Sequence, residues 1–187
     1  ALSEIAPVVY LSTDTELVVV ESTRKNATTI ATIFGLENEI TEKMSGFDTR
    51  IETLKATANG QNAIIGMATS GSFNVLGNDG RLSLIINEIG FNNVGAQSAS
   101  THGNETSFEF IVETNPDYMF VMDRDSAIGT EGAQLAQEIV ENELVMQTDT
   151  YKNGHIIYLA HPAIWYTAEG GITALDYMLQ DLESALQ

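Results

Sequence analysis

Apolar positions recur first at helical and then at strand spacing, and the change of period divides the chain. A short apolar run at Val8 to Leu11 predicts a strand, and the stretch from Glu16 to Phe34 predicts a helix that Gly35 ends. Leu36, Ile40, Met44, Phe47, Ile51 and Leu54 then follow at steps of four and three. They draw one apolar stripe down a helix about 30 Å long, enough to bridge two lobes or simply to pack on a surface. After Asn59-Gly60 the pattern turns to strand and turn, and a new lobe is expected to begin. Strands are predicted at Ala63 to Thr69, Phe73 to Leu76, Tyr118 to Met122 and Ile156 to Leu159, with Asn78-Asp79-Gly80 as a turn. Helices are predicted at Leu82 to Ile89, Ser107 to Thr114, Glu131 to Asn142 and Gly171 to Leu186, with a Gly, Asn and Ser-rich loop running up to Thr106. This alternation predicts an α/β fold with a mainly parallel sheet.

Composition narrows the function classes. The 187 residues are 43% hydrophobic, enough to bury a core for one domain or one and a half. Eight Lys and Arg against 26 Asp and Glu give a formal charge of -18, whose field repels nucleic acid and anionic lipid, so no nucleic-acid partner is expected. The acidity itself reads as solubility or a salty habitat. Without cysteine there is no disulfide, no thiolate metal site and no cysteine nucleophile. No apolar run approaches the roughly 20 residues that span a bilayer. The chain opens without Met, directly into Leu2-Ser3-Glu4-Ile5-Ala6-Pro7, and lacks a basic region followed by an apolar core, which points to a segment removed upstream.

Cations are the scarce resource. After Lys55 only Arg81, Arg124 and Lys152 remain. In open α/β sheets ligands sit beyond the carboxyl ends of the strands, and the two arginines fall there, near His102 in a loop before a helix and Trp165-Tyr166 in a loop after a strand. Two guanidinium groups beside a histidine and a tyrosine fit an anion, one carrying a metal. Plainer readings stand beside this. Arg124 between Asp123 and Asp125 also reads as a surface ion pair, Arg81 as a helix-start residue, His102 as a hydrogen-bonding residue, and Trp165-Tyr166 as aromatic packing. His155 and His161 read as strand-edge residues, with His161 a reserve ligand because of its nearness to Tyr166. Enzyme patterns are weaker: there is no nucleophile elbow, phosphate loop, dinucleotide fingerprint or zincin helix, and nothing in the spacing of Ser70, Ser72, His102 and Asp123 requires a triad.

The run Arg81-Leu82-Ser83-Leu84-Ile85-Ile86-Asn87-Glu88-Ile89-Gly90, with Thr101-His102-Gly103, Glu109-Phe110-Ile111, Asn115-Pro116-Asp117-Tyr118, Asp123-Arg124, Ile157-Tyr158-Leu159 and Trp165-Tyr166, resembles ferric-siderophore periplasmic solute-binding proteins of iron ABC importers, the enterochelin-type group. The order and spacing agree over most of residues 60–187. Glu4-Ile5-Ala6-Pro7-Val8-Val9-Tyr10-Leu11 is similar to the last strand of that family's N-terminal lobe.

The resemblance implies the C-terminal Rossmann-like lobe of a class III, helical-backbone binding protein. Residues 1–35 would be the end of a truncated N-terminal lobe, 36–58 the inter-lobe backbone helix and 59–187 the ligand-binding lobe. It implies a monomeric, non-enzymatic carrier, periplasmic or extracytoplasmic and lipid-anchored, with no intrinsic cofactor. That carrier would bind a ferric siderophore, a catecholate, and deliver it to a permease. Arg81 and Arg124 would then face the anionic chelate, His102 and Tyr166 would reach iron, and Trp165 would join the ligand contacts. An arginine that family members supply from the first lobe falls before Ala1, and His161 stands where the family usually has an acid. Haem binding on the same fold, or hydrolysis with His102 as general base, are the alternative expectations.

Overall fold

Strands whose consecutive residues are all apolar need cover on both faces, and here both faces are covered. The computed structural model describes residues 2–12, 14, 16–96, 104–105, 108–168 and 170–186. The sheet is built from β1 (Asn62–Thr69), β2 (Ser72–Val75), β3 (Asn92–Asn93), β4 (Asn104–Glu105), β5 (Tyr118–Asp123) and β6 (Ile156–Tyr158), in the order β4-β2-β1-β5-β6 with β3 beside β1. Strands β3, β5 and β6 run parallel within this block, whereas β2 returns antiparallel to β1 and β4 antiparallel to β2. The sheet is therefore mixed, with the expected parallel part, β1, β5 and β6, on one side and the antiparallel β2 and β4 on the other.

Alternation along each strand feeds two cores. Ala63, Ile65 and Met67 of β1 and Phe120 and Met122 of β5 pack on the side of helices α1 (Val19–Phe34), α2 (Glu37–Ala58) and α9 (Ile172–Ala185), together with Met44, Phe47, Ile51, Leu54, Leu175, Met178, Leu179 and Leu182. Ile64, Ala68, Met119 and Val121 pack on the other side with Phe73, Ile111, Ile139, Val140 and Val145. Between these long helices the chain forms shorter ones: α3 (Ser83–Asn87), α4 (Phe108–Thr114), α5 (Arg124–Ala127), α6 (Ala136–Val140), α7 (Asp149–Lys152) and α8 (Pro162–Thr167).

Local chemistry explains several joints. The β1–β2 hairpin turns on Ser70 and Gly71, both with positive φ (51° and 78°), the handedness that matches the twist of the flanking strands. Gly66 has no side chain because Phe73 fills the place: a Cβ there would lie 2.2 Å from Phe73 Cζ. Helix α1 starts without a local side-chain cap, and Glu88, 68 residues away, supplies one by accepting from the Val20 amide at 3.0 Å. Arg50 of α2 reaches α9, where Nε and Nη2 grip both oxygens of Glu183 at 2.6 and 2.9 Å and Nη1 meets Asp176 Oδ1 at 2.6 Å.

The structure departs from expectation in four places. Residues 8–11 form no strand: the described sheet edges do not pair with them, and Tyr10 is 86% exposed. The helix expected over Glu131 to Asn142 shrinks to Ala136–Val140, because Gly132 takes φ 69° and the Asn142 side chain turns back to accept from the Leu144 and Val145 amides. The apolar stripe of α2 begins at Ile40, since Leu36 lies before the helix and is exposed. Trp165 and Tyr166, expected in a loop, belong to α8, which Pro162 opens at a first-turn position that asks for no amide donor.

Candidate functional site

The carboxyl ends of β1 and β5 lie side by side, with Ala68 opposite Asp123 in the parallel register, and β6 follows next to β5. Three candidate residues converge on this rim. Arg124 is the first residue of α5, where β5 stops. The stop is enforced by Asp123, whose carboxylate accepts from the Ser126 amide at 2.8 Å and the Ala136 amide at 3.1 Å. Tyr166 arrives on α8, after β6. Arg81 arrives from the loop after β2, followed by Leu82, which is fully buried at a left-handed φ of 65°. That conformation costs an apolar residue about 1–2 kcal/mol, and burial of the leucine side chain holds it.

Tyr166 is gripped by both arginines. The Arg81 guanidinium lies over its ring, 4.4 Å from the centroid, while Arg81 Nε donates to the Tyr166 backbone carbonyl at 3.2 Å. Arg124 stands 5.5 Å from the same centroid and donates through Nε to the phenol oxygen at 2.9 Å. Arg124 Nη1 donates to Thr69 Oγ1 at 3.3 Å and lies 3.5 Å from Asp125 Oδ1. The hydrogen bond to Tyr166, with Asp125 adding to it, raises the guanidinium further above its already high ordinary value, so it stays cationic. Planar cations held against one aromatic ring keep their donors in defined directions, the arrangement suited to a charged, oxygen-rich anion.

The other candidates separate from this group. Trp165 is fully buried, with Nε1 donating to Asp181 Oδ2 at 2.9 Å, so its indole packs in the core behind the rim. His161 is held by the same aspartate: its amide donates to Oδ2 at 3.0 Å and its Nδ1 lies 2.6 Å from Oδ1, with Tyr177 beside the ring. This anchors the start of α8 rather than adding a ligand to the Arg81, Tyr166 and Arg124 group. His155 stacks on Tyr118, 4.3 Å between centroids, and its Nδ1 meets the Asp117 carbonyl near the opposite ends of β5 and β6. His102 lies outside the described residues. Asp123 is occupied with backbone amides, which leaves it poorly placed to orient a histidine.

Two participants were not picked out from the sequence. Thr69 and Asp125 join the group through hydrogen bonds at 3.0 Å between their side chains and 2.6 Å from the Ser70 amide to Asp125. The sequence offered Asp125 only as a flanking charge and Thr69 only as a strand end.

Residues 1–163 match the periplasmic binding protein family. The petrobactin-binding protein YclQ of Bacillus subtilis is 36% identical over 188 residues, covering 99% of this chain and 58% of that protein. Its crystal structure superposes with a TM-score of 0.86 at 35% identity, covering all of this chain and 65% of that one. The ferric-anguibactin-binding protein FatB of Vibrio anguillarum is 27% identical, covering 100% and 59%. The periplasmic catecholate-siderophore binding protein VctP of Vibrio cholerae superposes at TM-score 0.85 and 31% identity, covering 98% and 66%. The chain thus spans about three fifths of the length of the curated relatives it matches. It belongs to the periplasmic binding protein family.

Proposed function

We propose that this chain is part of a ferric-siderophore carrier that holds a catecholate-type chelate and hands it to the permease of an ABC importer. Its relatives are named for binding petrobactin, ferric anguibactin and catecholate siderophores, which supports a carrier over an enzyme. In this reading residues 1–35 close an N-terminal lobe, 36–58 form the backbone helix between lobes and 59–187 form the lobe that bears the site, outside the cytoplasm. The observation that carries it is the stack of Arg81 and Arg124 on Tyr166 at the sheet's carboxyl rim. Residues 59–187 hold 17 acidic side chains and three basic ones, and two of those three meet here. Such a concentration of cation on an acidic lobe suits a ligand of high negative charge.

Each group has a task. A ferric tris-catecholate presents oxygens that bear negative charge, and guanidinium donors meet them by charge-assisted hydrogen bonds. Arg81 commits Nε to the Tyr166 carbonyl, and in this reading its terminal amino groups serve the ligand. The Tyr166 oxygen receives one donor from Arg124 and keeps lone-pair capacity for a ligand or for iron left open by a tetradentate chelate. His102 is the second iron donor in this reading. Coordination through Tyr166 releases its proton, so uptake of such a chelate weakens in acid.

Titration of Trp165 fluorescence with ferric chelates tests the reading, because this sole tryptophan lies directly behind the rim. Ferric tris-catecholates should quench and bind, with Arg81→Gln and Arg124→Gln weakening binding more at low salt than at high. Equal losses at all salt concentrations, or tighter binding of uncharged ferric hydroxamates, would remove the anion clamp. Tyr166→Phe and His102→Ala should each shift the charge-transfer band of a tetradentate complex, and unchanged spectra would take both out of the iron's coordination sphere.

A further inference from the structure

Arg124 is aimed by a short chain of hydrogen bonds that begins at a buried charge. Asp125 is 5% exposed, and as a carboxylate it only accepts. One oxygen takes the Ser70 amide at 2.6 Å, in the tight turn after β1, and the other takes the Thr69 hydroxyl at 3.0 Å. A threonine hydroxyl has one hydrogen, so giving it to Asp125 leaves only lone pairs toward Arg124, whose Nη1 donates there at 3.3 Å. The guanidinium is then fixed at two points on one plane, Nη1 at Thr69 and Nε at the Tyr166 oxygen 2.9 Å away. Among the described residues no acceptor meets Nη2, which leaves that edge to address a ligand. Without the hydroxyl, Nη1 already lies 3.5 Å from Asp125 Oδ1 and would close on it as a direct ion pair, drawing Nε away from Tyr166.

We propose that Thr69 is a positioning residue of the anion site, its hydroxyl linking buried Asp125 to Arg124 and so setting the plane in which the guanidinium meets the ligand. This rests on the reading of Arg124 as an anion contact. The role asks for a hydroxyl at this position and not merely a β-branched residue, so serine should serve and valine should not.

The test uses the full-length protein and the ferric complex of a synthetic hexadentate tris-catecholate, with Kd read from tryptophan quenching and folding checked by thermal melting. Thr69→Val should weaken binding about five- to tenfold, the loss of one hydrogen bond to a charged group, while Thr69→Ser stays within about twofold. In an Arg124→Gln background Thr69→Val should cause no further loss, since the residue acts through that guanidinium. Wild-type affinity in Thr69→Val alongside weakened Arg124→Gln overturns the positioning role and leaves the clamp standing. An equal loss from Thr69→Val with and without Arg124, or a Thr69→Ser as weak as the valine variant, also overturns it. Unchanged affinity in Arg124→Gln removes the clamp and the proposal together. If Thr69→Val melts early, Thr69→Ala in the same two backgrounds gives the same comparison.

Discussion

Replacing Arg50 by glutamine should loosen the joint between α2 and α9, and the structure sets the size of the effect. Arg50 makes three short charged contacts, two with Glu183 and one with Asp176, and its guanidinium lies over the Phe47 ring, 5.7 Å from the centroid. Fully desolvated, each would contribute about 1.5–3 kcal/mol. The three side chains are 25%, 34% and 32% exposed, so solvent screening brings each contact nearer 0.5–1 kcal/mol. The total is about 2 kcal/mol, or a melting temperature lower by about 4–8 °C for a chain of this size. The variant also deprives Glu183 and Asp176 of this shared cation, with Lys43 remaining 3.9 Å from Asp176.

The hydrogen bond from Arg50 holds the Asp176 carboxyl below its ordinary value, ahead of the opposing effect of burial. Its contribution is therefore present above the unfolded value, near pH 4, and is lost as pH falls through the depressed folded one. Urea denaturation of both proteins at neutral pH and at about pH 3 checks this. The gap should be full at neutral pH and shrink in acid, and Arg50→Lys should recover less than half of it because an ammonium cannot match the fork. A gap of the same size at both pH values would assign the effect to packing on Phe47 and refute the ionic account.

Two further outcomes can be measured the same way. Gly66→Ala should cost about 2 kcal/mol or more, read as a lowered urea midpoint, because the new Cβ meets the Phe73 ring and the Asn74 carbonyl with a β-strand on each side. Glu88→Gln should raise stability at neutral pH: burial pushes the Glu88 carboxyl up, so the folded state binds protons that the unfolded state has released, and wild-type stability falls as pH rises from the ordinary carboxylate value through the raised one. Thermal melts of the pair across pH 4–8 should converge in acid and separate above it; parallel curves would exclude Glu88 as the group responsible.

Features fixed by local period and by scarcity were legible in the chain. Strands β1 and β5 announced themselves as unbroken apolar runs because both faces are buried, and α2 showed its stripe because only one face is. Arg81 and Arg124 stood out because arginine is rare beyond residue 55, and of the residues expected beside them the structure sets Tyr166 against both, buries Trp165 behind the rim and does not describe His102. The loop expected around Trp165 gave way for a physical reason: once residues 162–167 become a helix, Trp165 lies about 100° around the axis from Tyr166 and in the core, and only Pro162 signalled that helix.

Thr69 and Asp125 carried no such signal. A threonine at a strand end and an aspartate among 26 acids are unremarkable until the parallel register of β1 and β5 sets their side chains 3.0 Å apart. The same holds for Glu88, whose capping of α1 depends on a contact across 68 residues. Asp125 and Glu88 are carboxylates that the fold buries, and their burial follows from long-range pairing that no local window contains. The cations are the reverse case: with so few beyond residue 55, position alone made Arg81 and Arg124 readable. Asp125 and Arg124 join the two cases, since the buried acid that holds the Ser70 amide also takes the Thr69 hydroxyl, and through that hydroxyl it meets the arginine.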